Sequence, residues 1–223
     1  MKGVSAPEPD AVTSGAQSYA LRMNATFYFD LASPLAYLAA ERVLHTLPEP
    51  AEWQPVLAAE LRAPTTQSLV AERFEAFRCE QESEIFRAEI ARRARELGLQ
   101  PLRWPEPFPF DSTLAMRAAT YAKSIGRAVP FAQAAFRQAF AGGRDLQQID
   151  NVLIAAAACE MHPAAVTRGA ELRSVGEQLA ASTRRATLSK IKDVPAIVID
   201  ESVFEGERAI EQAAERMLAA AAR

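Results

Sequence analysis

The amino-acid sequence predicts an α/β fold in which a small sheet is split by a large, all-helical insertion. Three observations predict it. Strand-like runs fall in two groups far apart in the chain, at Ala25–Asp30 and Glu52–Leu57, then at Val194–Asp200 and Ser202–Phe204. The stretch between them, from about Leu69 to Asp193, carries Ala, Arg, Glu and Leu at helical spacing with almost no β-branched runs. The 223-residue chain is 49% apolar and 24% charged, which suits one domain, or one domain carrying an insertion.

Residues Met1 to Met23 mix Pro, Ser, Gly and single charges without the apolar run of a secretory signal, and are expected to form a flexible tail. Ala25-Thr-Phe-Tyr-Phe-Asp30 is the first strand. Ser33 is a good N-cap and Pro34 suits the first helical position, so a helix is expected from Pro34 to about Leu47. Glu52–Leu57 is a second strand, and Pro55 argues for an edge or a strand end. Helices then fit Val70–Leu97, with a break expected around Glu80–Glu84 and Gly98 as C-cap. Four prolines between Pro101 and Pro109 require an extended loop. Asp111 or Ser112 caps a helix to about Ser124, ended by Gly126. Further helices fit Pro130–Phe140, Leu146–Glu160 (capped by Asp145), Pro163–Leu172 and Val175–Ser189. Val194–Asp200 and Ser202–Phe204 close a hairpin, and Glu207–Ala222 is a last, Ala-rich helix. The order β-α-β, helices, β-β-α is that of a thioredoxin-like fold interrupted by a helical insertion domain: residues 24–60 and 190–223 form the thioredoxin-like part and 61–189 the insertion.

Charge and cysteine usage exclude several classes. Lys plus Arg number 25 against 28 Asp plus Glu, a net charge of -3, which leaves no overall positive field for nucleic acid or an anionic membrane. No segment reaches about 18 consecutive apolar residues, so a spanning helix is not expected and a cytoplasmic protein is. Cys79 and Cys159 stand far apart without metal-ligand spacing, so neither a disulfide framework nor a metal site is expected. Ser33 lacks the Gly-x-Ser-x-Gly surroundings of a hydrolase nucleophile. His45 and His162 suit structural or surface positions.

The run Phe27-Tyr-Phe-Asp-Leu-Ala-Ser-Pro-Leu-Ala-Tyr-Leu38 resembles the opening of the glutathione-dependent 2-hydroxychromene-2-carboxylate isomerases and their relatives, the kappa-class glutathione transferases. Phe108-Pro-Phe-Asp-Ser-Thr-Leu-Ala-Met-Arg117 is similar to that family's Phe-Pro-x-Asn-Ser segment. Phe136-Arg-Gln-Ala-Phe140 and Gly143-Arg-Asp145 fall in the helices that follow, and Val194-Pro195 and Phe204-Glu-Gly-Glu-Arg208 resemble its closing elements. Together these span about Ala25 to Ala213. Asp193 stands where the family usually has glycine, Asp111 where it has asparagine, and Glu207 where it has aspartate.

The resemblance implies glutathione, or another low-molecular-weight thiol, as cofactor. Ser33 would stabilise the thiolate; without the family pattern, Ser33 is a helix cap and nothing more. Lowering a thiol pKa by about two units takes roughly 2.7 kcal/mol, within reach of a charge-assisted hydrogen bond and a helix terminus. Val194 and Pro195 resemble a cis-proline site that holds an extended peptide; local rules alone favour a trans bond. The resemblance also implies that Glu207 and Arg208 receive the γ-glutamyl end and that Arg87 meets a glutathione carboxylate. As isolated signals these are a helix-start carboxylate and a solvated helix face. Trp104, Phe110 and Asp111 would contact an aromatic or conjugated substrate, although loop aromatics also serve to anchor a Pro-rich connection onto a core.

Two classes of function stay open: a glutathione-dependent isomerase, or a kappa-like transferase in which a leaving group departs; and a non-catalytic thioredoxin-like module that holds a peptide at Val194-Pro195. The family commonly forms dimers, which leaves a homodimer open.

Overall fold

The structure, a computed structural model, describes residues 24–61, 80–206 and 208–222. The expected tail, the start of the Val70–Leu97 helix, Cys79 and Glu207 lie outside the described residues. Four strands, β1 (Ala25–Phe29), β2 (Glu52–Pro55), β3 (Ala196–Ile199) and β4 (Ser202–Glu205), form a sheet in the order β2-β1-β3-β4. β1 pairs parallel with β2, with Phe27 opposite Trp53, and antiparallel with β3, with Phe27 opposite Ile197. β3 and β4 form the expected hairpin, and its turn is completed by Asp200 at φ 54. Pro55 ends β2 on the sheet edge, where its missing N–H breaks no ladder.

Between β2 and β3 the described chain is helical apart from its loops: α3 (Ala58–Leu61), α4 (Glu80–Glu96), α5 (Thr113–Ser124), α6 (Ala128–Phe140), α7 (Ile149–Ala157), α8 (Pro163–Glu171) and α9 (Arg173–Leu188). α1 (Pro34–Ala40) and α2 (Val43–Thr46) follow β1, and α10 (Ala209–Ala221) follows β4.

Alternation along β1 divides the sheet into two faces. Phe27, Phe29 and Trp53 are buried on one face, with Phe27–Trp53 and Phe29–Trp53 edge-to-face at 4.9 and 5.7 Å. The same core continues into Tyr37 of α1, Phe136 and Phe140 of α6, and Ile210 and Met217 of α10. The other face, with Tyr28, Ala196 and Val198, meets Ala58 and Leu61 of α3 and Ala186 of α9.

Several expected boundaries change. The helix after Pro34 is not continuous to Leu47. It breaks after Ala40, where Arg42 N–H bonds the Ala39 carbonyl, three residues back, at 3.0 Å. The neighbours at the break serve different helices: Glu41 takes both guanidinium bonds of Arg137 on α6 at 2.7 Å, and Arg42 pairs with Glu211 on α10. The described part of the Val70–Leu97 stretch is α4, which starts at Glu80 and is continuous to Glu96, with Arg92–Glu96 and Arg93–Glu89 pairs one turn apart along it; the residues before Glu80, on the other side of the expected break, lie outside the described residues. α7 begins at Ile149 rather than Leu146, since Asp145 spends its carboxylate on the N–H of Gln147 in a turn before the helix. α3 has no counterpart among the expected elements; a single turn is too short to show periodicity.

Candidate functional site

The turn from β1 into α1 is built around a buried carboxylate. Asp30, 3% exposed, accepts the Ala32 N–H at 2.9 Å on one oxygen and the Ala58 N–H at 2.8 Å on the other, so it ties the turn to the start of α3. The Leu31 N–H donates to the Met116 sulfur of α5 at 3.2 Å. Ser33 N–H then closes the turn onto the Asp30 carbonyl at 3.0 Å. This leaves Ser33 extended, at φ -92 and ψ 113, as the N-cap of α1, with Pro34 at the first helical position.

The Ser33 hydroxyl faces the other end of the sequence. Its oxygen accepts the Ala36 N–H at 3.2 Å, and its proton goes to the Val194 carbonyl at 3.4 Å, across 161 residues. Val194 is joined to Pro195 by a cis peptide bond. The chain continues into β3, which pairs with β1, so sheet pairing brings the proline beside the start of α1. The Gly206 N–H bonds the Pro195 carbonyl at 3.3 Å, and Gly206 takes φ 81, a conformation that favours glycine.

The loop before Pro195 is also held from β4. One oxygen of Glu205 accepts the Lys192 and Asp193 N–H groups at 2.6 and 3.0 Å. Asp193 in turn places a carboxylate oxygen 2.7 Å from the Val194 nitrogen, which donates to it. Both backbone polar groups of Val194 are thus engaged within the chain.

Beside this junction lies a cleft of ≈ 130 Å³, lined by Leu35 and Leu38 of α1, Pro195 and Gly206, and Leu97 just after α4, with Arg42, Arg93 and Glu96 supplying charge. That volume is below the roughly 300 Å³ of a typical small-molecule site. A second cleft, of ≈ 430 Å³, lies on the opposite sheet face and does not include Ser33 or Pro195. It is floored by a polar chain in which Lys123 bonds Glu52 and Gln54, and Gln54 bonds Ser182 at 2.9 Å.

The remaining expected site residues fall elsewhere. Trp104, half-buried, packs edge-to-face on Phe108 at 4.8 Å and on Phe140 at 6.1 Å; Phe110, buried, meets Phe108 at 6.5 Å. Arg87 lies over the rings of Trp104 and Phe108 at 5.3 and 5.9 Å, and is not among the residues lining the cleft beside Pro195. Asp111 is exposed and accepts the Thr113 N–H and hydroxyl at 2.8 and 2.6 Å, a local cap for α5. Arg208 is exposed and stands 3.9 Å from Glu215, along its own helix. Glu207 lies outside the described residues.

Sequence reasoning did not single out Asp30, Arg42, Arg93 or Glu205. An aspartate directly after an aromatic strand and before Ser-Pro was a usable signal for Asp30. Nothing local marks the other three: Arg42 pairs with Glu211 on α10, Glu205 bonds backbone N–H groups before β3, and Arg93, paired with Glu89 one turn back, looks like any other surface helix pair. Cys159 is buried, its thiol bonded to the Ala155 carbonyl at 3.2 Å, and burial pushes its pKa up, against a smaller opposing effect of Arg127.

Comparison with known proteins bears on the architecture. The model of the DSBA-like thioredoxin domain matches residues 25–218. No curated protein matches the sequence. Among solved structures, the chain is similar to a 2-hydroxychromene-2-carboxylate isomerase, with a TM-score of 0.76 at 16% identity over 88% of this chain and 95% of that one. It is similar to a probable DsbA oxidoreductase from Streptomyces coelicolor, with a TM-score of 0.69 at 18% identity over 89% of each chain. A third is a cytosolic disulfide reductase, DsbM, from Pseudomonas aeruginosa, solved with GSH, with a TM-score of 0.59 at 13% identity over 88% of this chain and 97% of that one. Identities this low establish a shared fold. Among the described residues, no helix is long and apolar enough to cross a membrane.

Proposed function

The chain belongs to the DSBA-like thioredoxin domain family, and on that premise we propose that it is a glutathione-dependent isomerase of the 2-hydroxychromene-2-carboxylate isomerase type. The observation that carries this reading is the Ser33 hydroxyl held 3.4 Å from the carbonyl that precedes cis-Pro195. Thiol–disulfide exchange needs a sulfur there, and serine has none. What a hydroxyl offers instead is a proton for a hydrogen bond.

The residues around Ser33 suit a small thiol peptide. The bond to Val194 is longer than the roughly 2.5 to 3.0 Å of a strong O–H···O bond, so the hydroxyl loses little by turning its proton to a sulfur. Arg42 and Arg93, paired with Glu211 and Glu89, line the neighbouring cleft as cations that a ligand carboxylate would share, and Glu96, paired with Arg92, as an anion that an ammonium would share. Bound glutathione, or another low-molecular-weight thiol, supplies a thiolate that adds reversibly to an electrophilic carbon of an aromatic or conjugated substrate. Ser33 stabilises that anion. α1 has about two turns, so the hydroxyl rather than the helix dipole supplies most of the roughly 2.7 kcal/mol that a shift of about two pKa units requires. Trp104, with Phe108 and Phe110 behind it, is the apolar surface proposed for the substrate ring.

The test is Ser33→Ala, followed by glutathione calorimetry, thiolate ultraviolet absorbance against pH, and turnover of a conjugated substrate. The expected result is saturable turnover in the wild type, with the thiolate titration of the variant moved up by as much as about two units. Irreversible conjugation with loss of a leaving group would instead make the chain a kappa-like transferase. Thiol binding that is absent, or indifferent to Ser33, overturns the proposal in favour of a non-catalytic module holding a peptide at Val194-Pro195.

A further inference from the structure

The peptide groups around Pro195 carry a further consequence. A residue before proline is biased to extended backbone, and an extended residue presents its N–H and C=O to the same edge. A molecule that takes the Ser33 proton must come within hydrogen-bond reach of Ser33 Oγ, which stands 3.4 Å from the Val194 carbonyl oxygen, and so it approaches the backbone edge that also carries the Val194 N–H. That N–H already donates to the Asp193 carboxylate at 2.7 Å. The carboxylate is held in place by its own backbone, since the Asp193 and Lys192 N–H groups are fixed on Glu205 from β4.

We infer that Asp193 is a specificity-determining residue: its carboxylate occupies the Val194 N–H that the backbone carbonyl of a peptide thiol would otherwise accept from, and so it weakens peptide thiols relative to thiols without an amide at that point. The inference rests on Ser33 being the sulfur site. An ionised carboxylate is a stronger acceptor than an amide carbonyl by about a factor of two in hydrogen-bond energy, so a peptide carbonyl cannot displace it without loss. A thiol lacking that carbonyl has nothing to exchange and is indifferent to Asp193.

The experiment compares wild type, Asp193→Asn and Asp193→Ala. Calorimetry measures binding of reduced glutathione and of 3-mercaptopropionate, and amide hydrogen exchange at Val194 is followed without ligand. Removing the carboxylate should tighten glutathione about tenfold, equivalent to about 1.4 kcal/mol, while 3-mercaptopropionate stays within about twofold. Asp193→Asn, which keeps an oxygen acceptor but no charge, should fall between, and reports on the site should Asp193→Ala perturb the loop. Exchange at Val194 should speed up in Asp193→Ala. Glutathione binding that depends on Ser33 yet is equal in all three proteins overturns the role of Asp193 and leaves the Ser33 site standing. A parallel gain for both thiols overturns the specificity. Unchanged exchange at Val194 overturns the hydrogen bond. No glutathione binding in any of the three overturns the Ser33 reading, and the inference with it.

Discussion

Two regions meet at α1 and are built on opposite principles. Around Ser33 and Val194, a hydrogen bond of 3.4 Å joins parts of the chain 161 residues apart. One turn further along α1, Tyr37 stacks on Phe140 at 5.6 Å, and Phe140 meets Trp104 and Phe108 at 6.1 and 6.2 Å. The first region is polar, and its link from Ser33 to Val194 is long while the carboxylate bonds beside it are short; the second is dense and apolar. The difference teaches that the aromatic cluster fixes α1 in place, and the polar junction is then free to exchange hydrogen bonds without moving the backbone.

The largest effect that could break this comparison is Phe140→Ala. Phe140 is fully buried and is the ring through which α1, α6 and the Pro-rich loop touch. Truncation removes its transfer free energy and leaves a cavity, and should cost about 3 to 5 kcal/mol in urea denaturation. Ser33→Ala, which loses a cap, should cost about 1 kcal/mol by the same measurement. Were the two costs equal, the junction would be holding the fold rather than resting on it.

How far the sequence disclosed these regions follows from the range of the interactions in each. The strands, most helices and the extended Pro-rich loop were legible because alternation, Gly and Pro act over a few residues. Gly98, Gly126 and Gly206 take the positive φ their turns need, and Pro55 sits at the strand end on the sheet edge. The break after Ala40 was not legible, since it depends on Arg137 and Glu211, each far along the chain from Glu41 and Arg42. Ser33, Val194, Pro195 and the departure at Asp193 could be named by resemblance, and the cis bond follows it, but the hydrogen bonds that the junction's carboxylates make could not. Asp30, Asp193 and Glu205 act on backbone N–H groups, which any residue type supplies, so no side-chain pattern marks their partners.

A smaller effect, confined to alkaline pH, sharpens the comparison from Tyr37, which belongs to both regions. Burial raises its phenol above the ordinary value of 10.0, Glu41 adds to the rise, and Arg137 opposes it. Below pH 10 the phenol is protonated folded and unfolded, and its contribution to stability is fully present. As pH rises past 10.0 the unfolded chain ionises first, so stability falls until the raised folded pKa is passed. Tyr28, on the opposite sheet face, is raised by burial and by Glu52 against Arg185, and adds to the same limb. Urea denaturation at about pH 9 and about pH 11 should show a steeper loss for wild type than for Tyr37→Phe. Equal losses would mean that the Tyr37 hydroxyl reaches water and that the aromatic cluster is not sealed at α1.

The smallest effect separates the two roles available to Arg87. Its guanidinium lies over Trp104 and Phe108 and is not among the residues that line the cleft with Pro195, and a cation at such a distance from a partly exposed ring contributes about 0.5 to 1 kcal/mol. Arg87→Met keeps the length of the side chain and much of its apolar contact while removing the charge. If Arg87 serves the cluster, the variant loses up to about 1 kcal/mol of stability and binds glutathione as the wild type does. If it instead meets a glutathione carboxylate, affinity falls about tenfold or more with stability nearly unchanged, because a charge-assisted bond to the ligand contributes nothing when the ligand is absent. Only one of the two measurements therefore moves under each role, and whichever moves assigns Arg87 to the apolar cluster or to the polar junction.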